Sequence, residues 1–129
     1  TLGRPLKTDA ELIDGMRQLN RAGAAWVVVT AGKRPVWMTS ADKVLRFETP
    51  AVTHVENPIG CGDCMAAGIA YGLALGRRPE DAVSLGMAAA ADNLAHVLPA
   101  RVQRNEVLRL ADSITRTCSE TFPGELPQN

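Results

Sequence analysis

The chain has 129 residues, of which 46% are hydrophobic and 22% charged, a composition typical of one globular domain with a core of its own. Its 14 basic and 14 acidic residues give a formal net charge of zero, so charge gives no reason to expect nucleic acid or a membrane surface as a partner. No apolar run is as long as a membrane span and no secretory signal pattern opens the chain, and three cysteines favour a reducing cytoplasm over a disulfide framework.

A helix is predicted between Thr8 and Gly23. Thr8 and Glu11 have the spacing of a capping box, in which each side chain accepts from the backbone of the other. Apolar residues then recur at helical intervals, at Leu12, Met16 and Leu19. Gly23 marks the end of this helix, because glycine is unfavourable inside one.

Three strands are predicted after this helix. Residues 25–30 (A-W-V-V-V-T) form a short apolar run of the kind that is buried on both faces of a sheet. Because the run follows a helix directly, we expect a parallel α/β sheet. Residues 35–40 and 43–48 predict two shorter strands about a polar turn. Residues 49–58, with a proline near each end, then lead across the edge of the sheet.

The stretch N-P-I-G-C-G-D-C at residues 57–64 is the strongest functional signal in the chain. Glycine permits backbone angles that let successive N–H groups point the same way, and the start of a following helix adds its free N–H groups and its dipole. Asp63 would repel an anion there unless it had a task such as accepting a proton. The combination indicates phosphoryl transfer, in which positioning and electrostatics carry most of the catalysis. Taken alone, G-x-G-D is common among helix starts.

Three further helices are predicted. The first covers residues 61–76, and its glycines fall four apart, leaving one face open to close packing: Gly68, Gly72 and Gly76. The second begins at Pro79 and has an apolar stripe at Val83, Met87, Ala90 and Leu94. The third covers residues 103–118, and residues 121–129 are expected to form a loose tail.

The run N-P-I-G-C-G-D-C-M-A-A-G resembles the C-terminal signature of the ribokinase-like sugar kinases, also called the phosphofructokinase B family, which usually reads D-T-x-G-A-G-D-S. The Asn-Pro opening is similar to the tagatose-6-phosphate kinase and 1-phosphofructokinase branch. The resemblance covers residues 1–117. It implies a ribokinase-like three-layer α/β sandwich, of which residues 1–120 would be the C-terminal, nucleotide-binding part of a parallel sheet flanked by helices. The N-terminal half, with its magnesium-linked N-x-x-E motif, would be missing.

The resemblance also implies an activity, that of an ATP-dependent carbohydrate kinase that moves the γ-phosphoryl group to a hydroxyl of a sugar or sugar phosphate. Asp63 matches the general base, and Gly60, Cys61 and Gly62 match the anion hole. ATP and Mg²⁺ are implied, with no metal ligand in this chain, and so are a cytoplasmic location and a homodimer of the full-length protein. The chain alone would be inactive. The acceptor stays open between fructose 1-phosphate, tagatose 6-phosphate, fructose 6-phosphate and a nucleoside.

Four further residues match nucleotide contacts of the family. Thr30 and Gly32 match the T-x-G strand end near the nucleotide phosphates, although a plain strand terminus explains them about as well. The chain also continues to Pro35, where the family usually has a second glycine. Asn93 and His96 fall where the adenine pocket of the family is partly built. An asparagine on a helix surface and a hydrogen-bonded histidine explain these two residues equally well.

The pair Cys61 and Cys64 forms a C-x-x-C, which could mean redox chemistry or half of a zinc site. Its positions match small residues of the family motif, so we interpret the cysteines as steric substitutes. Two rival functions remain at this point. One is a non-catalytic α/β nucleotide-binding module, and the other is a thioredoxin-like redox protein, which requires a disulfide between Cys61 and Cys64.

Overall fold

The computed structural model describes residues 3 and 5–121. In chain order these form α1 (Asp9–Arg21), β1 (Val27–Val29), β2 (Val36–Thr39), β3 (Lys43–Phe47), α2 (Cys61–Ala74), α3 (Pro79–Leu94), α4 (Arg104–Ser113) and β4 (Arg116–Thr121). They divide into two compact units, of which the first contains α1 and the four strands, and the second, residues 49–115, contains the other three helices. The predicted loose tail is wrong at Thr121, which is the last residue of β4, and its other residues, 122–129, lie outside the described residues.

The four strands of the first unit form one sheet in the order β1-β2-β3-β4, and every neighbouring pair is antiparallel. The predicted parallel pairing is therefore wrong for these strands. The physical reason is the short connection between β2 and β3, residues 40–42, since a tight turn can join only antiparallel strands whereas parallel strands need a long crossover. The predicted positions of the first three strands are confirmed to within two residues at each end.

Helix α1 packs its apolar side against this sheet. The core is formed by the buried side chains of Met16, Trp37 and Val44, and partly buried apolar residues surround it. The predicted capping box is confirmed, because Thr8 Oγ1 accepts from the Glu11 N–H at 3.2 Å and the Glu11 carboxylate accepts from the Thr8 N–H at 3.2 Å.

The last predicted helix, residues 103–118, is wrong in its second half. Helix α4 ends at Ser113, and residues 116–121 form β4, which pairs with β3 in the register Leu45↔Cys118. The segment carries β-branched threonines at Thr117 and Thr121, which favour a strand. Pairing with an available strand edge therefore decides the structure of a segment whose apolar spacing also suits a helix.

In the second unit, α2 and α3 approach each other at their glycines. A Cβ on Gly68 would lie 2.7 Å from the Gly86 Cα, and one on Gly72 would lie 2.9 Å from the Ala82 Cα, both too close for any real side chain. The predicted close packing is confirmed at these two glycines. Gly76 instead lies beyond the end of α2 with φ +74°, where it reverses the chain.

Helix α3 begins with Pro79 in its first turn, as predicted, and is buried along most of its length. Helix α4 covers it through Val107, which joins a core of Cys64, Leu85, Ala88 and Ala89. None of the helices in the described part of the chain is both long and apolar enough to cross a membrane. The second unit is thus a three-helix packing in which α2 begins at the glycine-rich stretch.

Candidate functional site

The candidate site is the glycine loop, residues 57–63, which leads into the first turn of α2. Gly60 is the residue that caps α2, with φ +84° in the left-handed region. A Cβ at this position would also lie 3.3 Å from the Cβ of Pro99. The backbone conformation therefore favours glycine here, and a side chain would also press on Pro99.

The first N–H groups of α2 are available to a ligand. The Cys64 N–H donates to the Gly60 carbonyl at 2.9 Å, and the Cys61 N–H lies 3.5 Å from the Pro58 carbonyl. The N–H groups of Gly62 and Asp63 have no acceptor within the described residues. A Cβ placed on Gly62 would meet nothing within 4 Å, so the space outside this residue is open. The helix start can therefore accept an anion at close range.

Asp63 stands in the first turn of α2 with an exposed side chain. No side chain makes a capping hydrogen bond at this helix start, so Asp63 does not serve as its cap. Its carboxylate has no hydrogen bond or ion pair with the described residues. The acid predicted as a base is therefore accessible from outside and not engaged in holding the fold.

Two asparagines fix the glycine loop from behind. Asn57 Oδ1 accepts from the Ile59 N–H at 2.9 Å and its Nδ2 donates to the Val97 carbonyl at 2.9 Å. Asn93 Nδ2 donates to the Ile59 carbonyl at 3.0 Å. The sequence analysis includes Asn57 in the motif but predicts no contact for it. An asparagine that accepts from the backbone two residues ahead is the usual turn signal that could have identified it.

His96 and Asp92 lie beside this loop at the end of α3. His96 Nε2 is 3.5 Å from Asp92 Oδ1, and the other carboxylate oxygen of Asp92 accepts from the Gln103 N–H at 2.6 Å. Asp92 is only 4% exposed, so its carboxylate serves to fix the start of α4. The structure thus places Asn93 and His96 in the same unit as the glycine loop. Whether they contact adenine stays a prediction.

Thr30 and Gly32 lie in the first unit, directly after β1, and both are exposed. Gly32 has φ +58°, and the Arg34 N–H donates to the Ala31 carbonyl at 3.1 Å, which closes a turn ahead of Pro35. Pro35 follows this turn and does not prevent it from forming. The contact of Thr30 and Gly32 with nucleotide phosphates stays a prediction.

The cysteines show no redox or metal arrangement in the described residues. None of Cys61, Cys64 and Cys118 is in a disulfide, and no group of three or more His, Cys, Asp or Glu there could hold a metal ion. Burial raises the pKa of the Cys64 thiol, and the neighbouring Cys61 adds to this effect. A raised pKa keeps the thiol protonated at neutral pH, which is the opposite of what a redox cysteine needs.

A cavity of about 530 Å³ lies alongside α2, α3 and α4. Most of its lining is apolar, and its basic residues are Arg77 and Arg104. The lining includes Cys64 but none of Gly60, Cys61, Gly62 or Asp63. The cavity is therefore separate from the N–H groups that could bind an anion.

Comparison with known proteins also points to a carbohydrate kinase. The family model described as pfkB family carbohydrate kinase matches residues 1–100. The 1-phosphofructokinase of Haemophilus influenzae is 30% identical over 91 residues, which cover 70% of this chain and 29% of the relative. The chain thus spans less than a third of the length of this relative.

Solved structures show a common fold. Phosphofructokinase-2 of Escherichia coli, in complex with substrates and products, matches with a TM-score of 0.76 at 18% identity, over 85% of this chain and 36% of that one. Ribokinase of Arabidopsis thaliana, complexed with ribose and ATP, matches with a TM-score of 0.76 at 20% identity, over 85% of this chain and 36% of that one. At this identity the likeness establishes a ribokinase-like fold.

Proposed function

This chain belongs to the pfkB family of carbohydrate kinases, and from that premise we propose that it takes part in ATP-dependent transfer of the γ-phosphoryl group to a hydroxyl of a sugar or sugar phosphate. The observation that carries the proposal is the open start of α2. There the Gly62 N–H and the Asp63 carboxylate, neither of which has a partner among residues 3 and 5–121, stand next to each other in the chain, at the positive end of the helix.

The proposed chemistry uses these groups in two roles. Asp63 takes the proton of the attacking hydroxyl, whose oxygen bonds to the transferring phosphorus while the bond to the nucleoside diphosphate breaks. The N–H groups at Gly60, Cys61 and Gly62 stabilise the negative charge on the transferring group. Mg²⁺ would neutralise phosphate charge. Because the described residues offer no set of three metal ligands, we assign no step to a metal here.

The nucleotide contacts are proposed at two places. Thr30 and Gly32 would meet the phosphates, supported by their exposed position at the end of β1. Asn93 and His96 would lie near the adenine, supported by their place beside the glycine loop. The Asn93 side chain is fully buried, however, so any contribution from it passes through its neighbours.

We propose a sugar phosphate as the acceptor, because the H. influenzae relative is a 1-phosphofructokinase. A homo-oligomer is proposed for the full-length protein. Phosphofructokinase-2 of E. coli has been solved in a tetrameric inhibited form, whereas we predicted a homodimer for this protein. The cytoplasmic location, the inactivity of the chain alone and the assignment of residues 1–120 to the C-terminal, nucleotide-side part of a longer kinase stay predictions.

Asp63→Asn in the native full-length protein tests the proposed function. The amide keeps the size of the side chain but cannot accept a proton at neutral pH. We expect turnover with a panel of sugar phosphates to fall by about 10²–10⁴-fold, while ATP affinity and melting temperature stay close to those of the unsubstituted protein.

Asp9→Asn is a matched control, since Asp9 is also an acid in the first turn of a helix. This variant should keep full turnover. Near-normal turnover in Asp63→Asn, with a lowered melting temperature, would make Asp63 structural. ATP binding without any turnover in the unsubstituted protein would favour a non-catalytic nucleotide-binding module.

A further inference from the structure

Asn93 has a polar side chain that is 0% exposed, inside the second unit. Its Nδ2 donates to the Ile59 carbonyl at 3.0 Å and lies 3.3 Å from Cys61 Sγ, and its Oδ1 accepts from the Ala100 N–H at 2.8 Å. Both ends of the amide are therefore engaged with groups more than five residues away in the chain. A buried polar side chain with this many partners is costly to replace, because each partner would lose its hydrogen bond.

The bond to Ile59 acts directly on the glycine loop. The Ile59 carbonyl and the Gly60 N–H belong to one planar trans peptide, in which the two bonds point in opposite directions. Holding the carbonyl toward Asn93 therefore turns the Gly60 N–H away from Asn93. Contact with Cys61 Sγ fixes the residue on the other side of Gly60. The left-handed glycine is thus held between two residues that Asn93 contacts.

The bond to Ala100 holds the segment that lies against Gly60. Ala100 has φ +60°, a conformation that residues with a Cβ rarely adopt without support. Pro99, the residue before it, comes within 3.3 Å of the place where a Gly60 Cβ would stand. One amide therefore ties the glycine loop to the strained turn that packs behind it.

We propose that Asn93 is a positioning residue that sets the direction of the Gly60 N–H and so the anion affinity of the glycine loop. This inference rests on the proposed function of the loop, and it gives Asn93 a role without any contact to the nucleotide.

The test uses Asn93→Leu, which is similar in size and removes both the donor and the acceptor, and Asn93→Asp at pH 8, which keeps an acceptor for Ala100 but loses the donor for Ile59. Ser84→Ala is the matched control. Ser84 is also buried on α3 and its hydroxyl donates to the Glu80 carbonyl at 3.3 Å, away from the loop. The readouts are the dissociation constant for ATP and the ¹⁵N–¹H NMR signals of Gly60 and Gly62, recorded below the melting temperature of each variant.

We expect both Asn93 variants to bind ATP at least tenfold more weakly and to shift the Gly60 signal already without ligand, whereas Ser84→Ala changes neither. If Asn93→Leu does not fold, Asn93→Asp decides the question. Unchanged loop signals and unchanged ATP affinity in a folded Asn93 variant would overturn the inference. If the unsubstituted full-length protein shows no ATP-dependent shift at Gly60 and Gly62, the proposed function fails, and the ligand-free Gly60 signal still decides whether Asn93 sets the loop.

Discussion

The two glycines of the loop have different physical roles, although they are two residues apart. Gly60 is needed for its left-handed backbone and the proximity of Pro99, whereas Gly62 lies in an ordinary helical turn with open space outside it. The absence of a side chain at the first glycine therefore serves the fold, while its N–H is part of the proposed anion hole. The second leaves room for a ligand, and single substitutions can separate the two roles.

Gly60→Ala should lower the free energy of unfolding by about 1–2 kcal/mol, because a Cβ is strained at this φ. Gly62→Ala should leave stability unchanged or raise it, since alanine is the better helix former. Its methyl group would nevertheless occupy the open space at the helix start, so we expect ATP affinity to fall at least tenfold. Denaturant unfolding measures the stability of both variants, and calorimetric titration measures their ATP affinity. Full ATP affinity in Gly62→Ala would place the anion elsewhere.

Cys64 offers a prediction with a pH dependence. Alkylation requires the thiolate, which forms as the pH rises through the pKa of the thiol. Because burial raises this pKa, the thiolate fraction of Cys64 at pH 8 is smaller than that of an ordinary thiol. We expect its iodoacetamide rate, followed by mass spectrometry, to be slow at pH 8. The Cys64 rate should still rise with pH at values where the rate of N-acetylcysteine has levelled off. If the Cys64 rate levels off at the same pH as that of N-acetylcysteine, or at a lower pH, the raised pKa is contradicted.

At the scale of elements, the contact between α2 and α3 depends on residues without side chains. A Cβ on Gly86 would lie 2.5 Å from the Met65 carbonyl oxygen and 2.7 Å from Ile69 Cγ1. Gly86→Ala should therefore separate the helices and cost about 1–3 kcal/mol of stability, as overpacking does. Chemical denaturation measures this cost. Gly62→Ala is the control, because it adds the same methyl group to α2 in open space. Equal stability of the two variants would show that the helix contact is not tight.

The sequence predicted the positions of the elements better than their pairing. Capping residues, Pro79 and the apolar runs are local signals, and they placed α1, α3 and the first three strands correctly. The direction of the strands and the formation of β4 depend on which strand edges meet in space. The spacing of residues in the sequence carries no information about this. Likewise the G-x-G-D motif located the glycine loop, whereas the partners of Asn93 lie up to 34 residues away and became visible only in the fold.

At the scale of the whole molecule, each unit has its own core and its own share of the predicted site. Thr30 and Gly32 belong to the first unit, and the glycine loop with Asn93 belongs to the second. The second unit contains the open start of α2, where free N–H groups lie beside the exposed Asp63. Tests of the proposed base and anion hole therefore address the second unit. Tests of Thr30 and Gly32 address the first.

Helix α2 is almost entirely apolar, yet several of its large side chains are exposed. After Asp63 it carries no charged residue, yet Tyr71, Leu73 and the following Leu75 are 51%, 47% and 56% exposed. Apolar helices of this kind are usually buried. Tyr71 and Leu75 are four residues apart and so lie on one side of the helix, and exposed apolar surface favours association. We therefore expect the chain to self-associate in a concentration-dependent way in sedimentation velocity experiments. Tyr71→Gln combined with Leu75→Gln should weaken this association. Val97→Gln, at an apolar residue outside α2 that is 69% exposed, should not. A chain that stays monomeric at every concentration would show that this surface needs no partner.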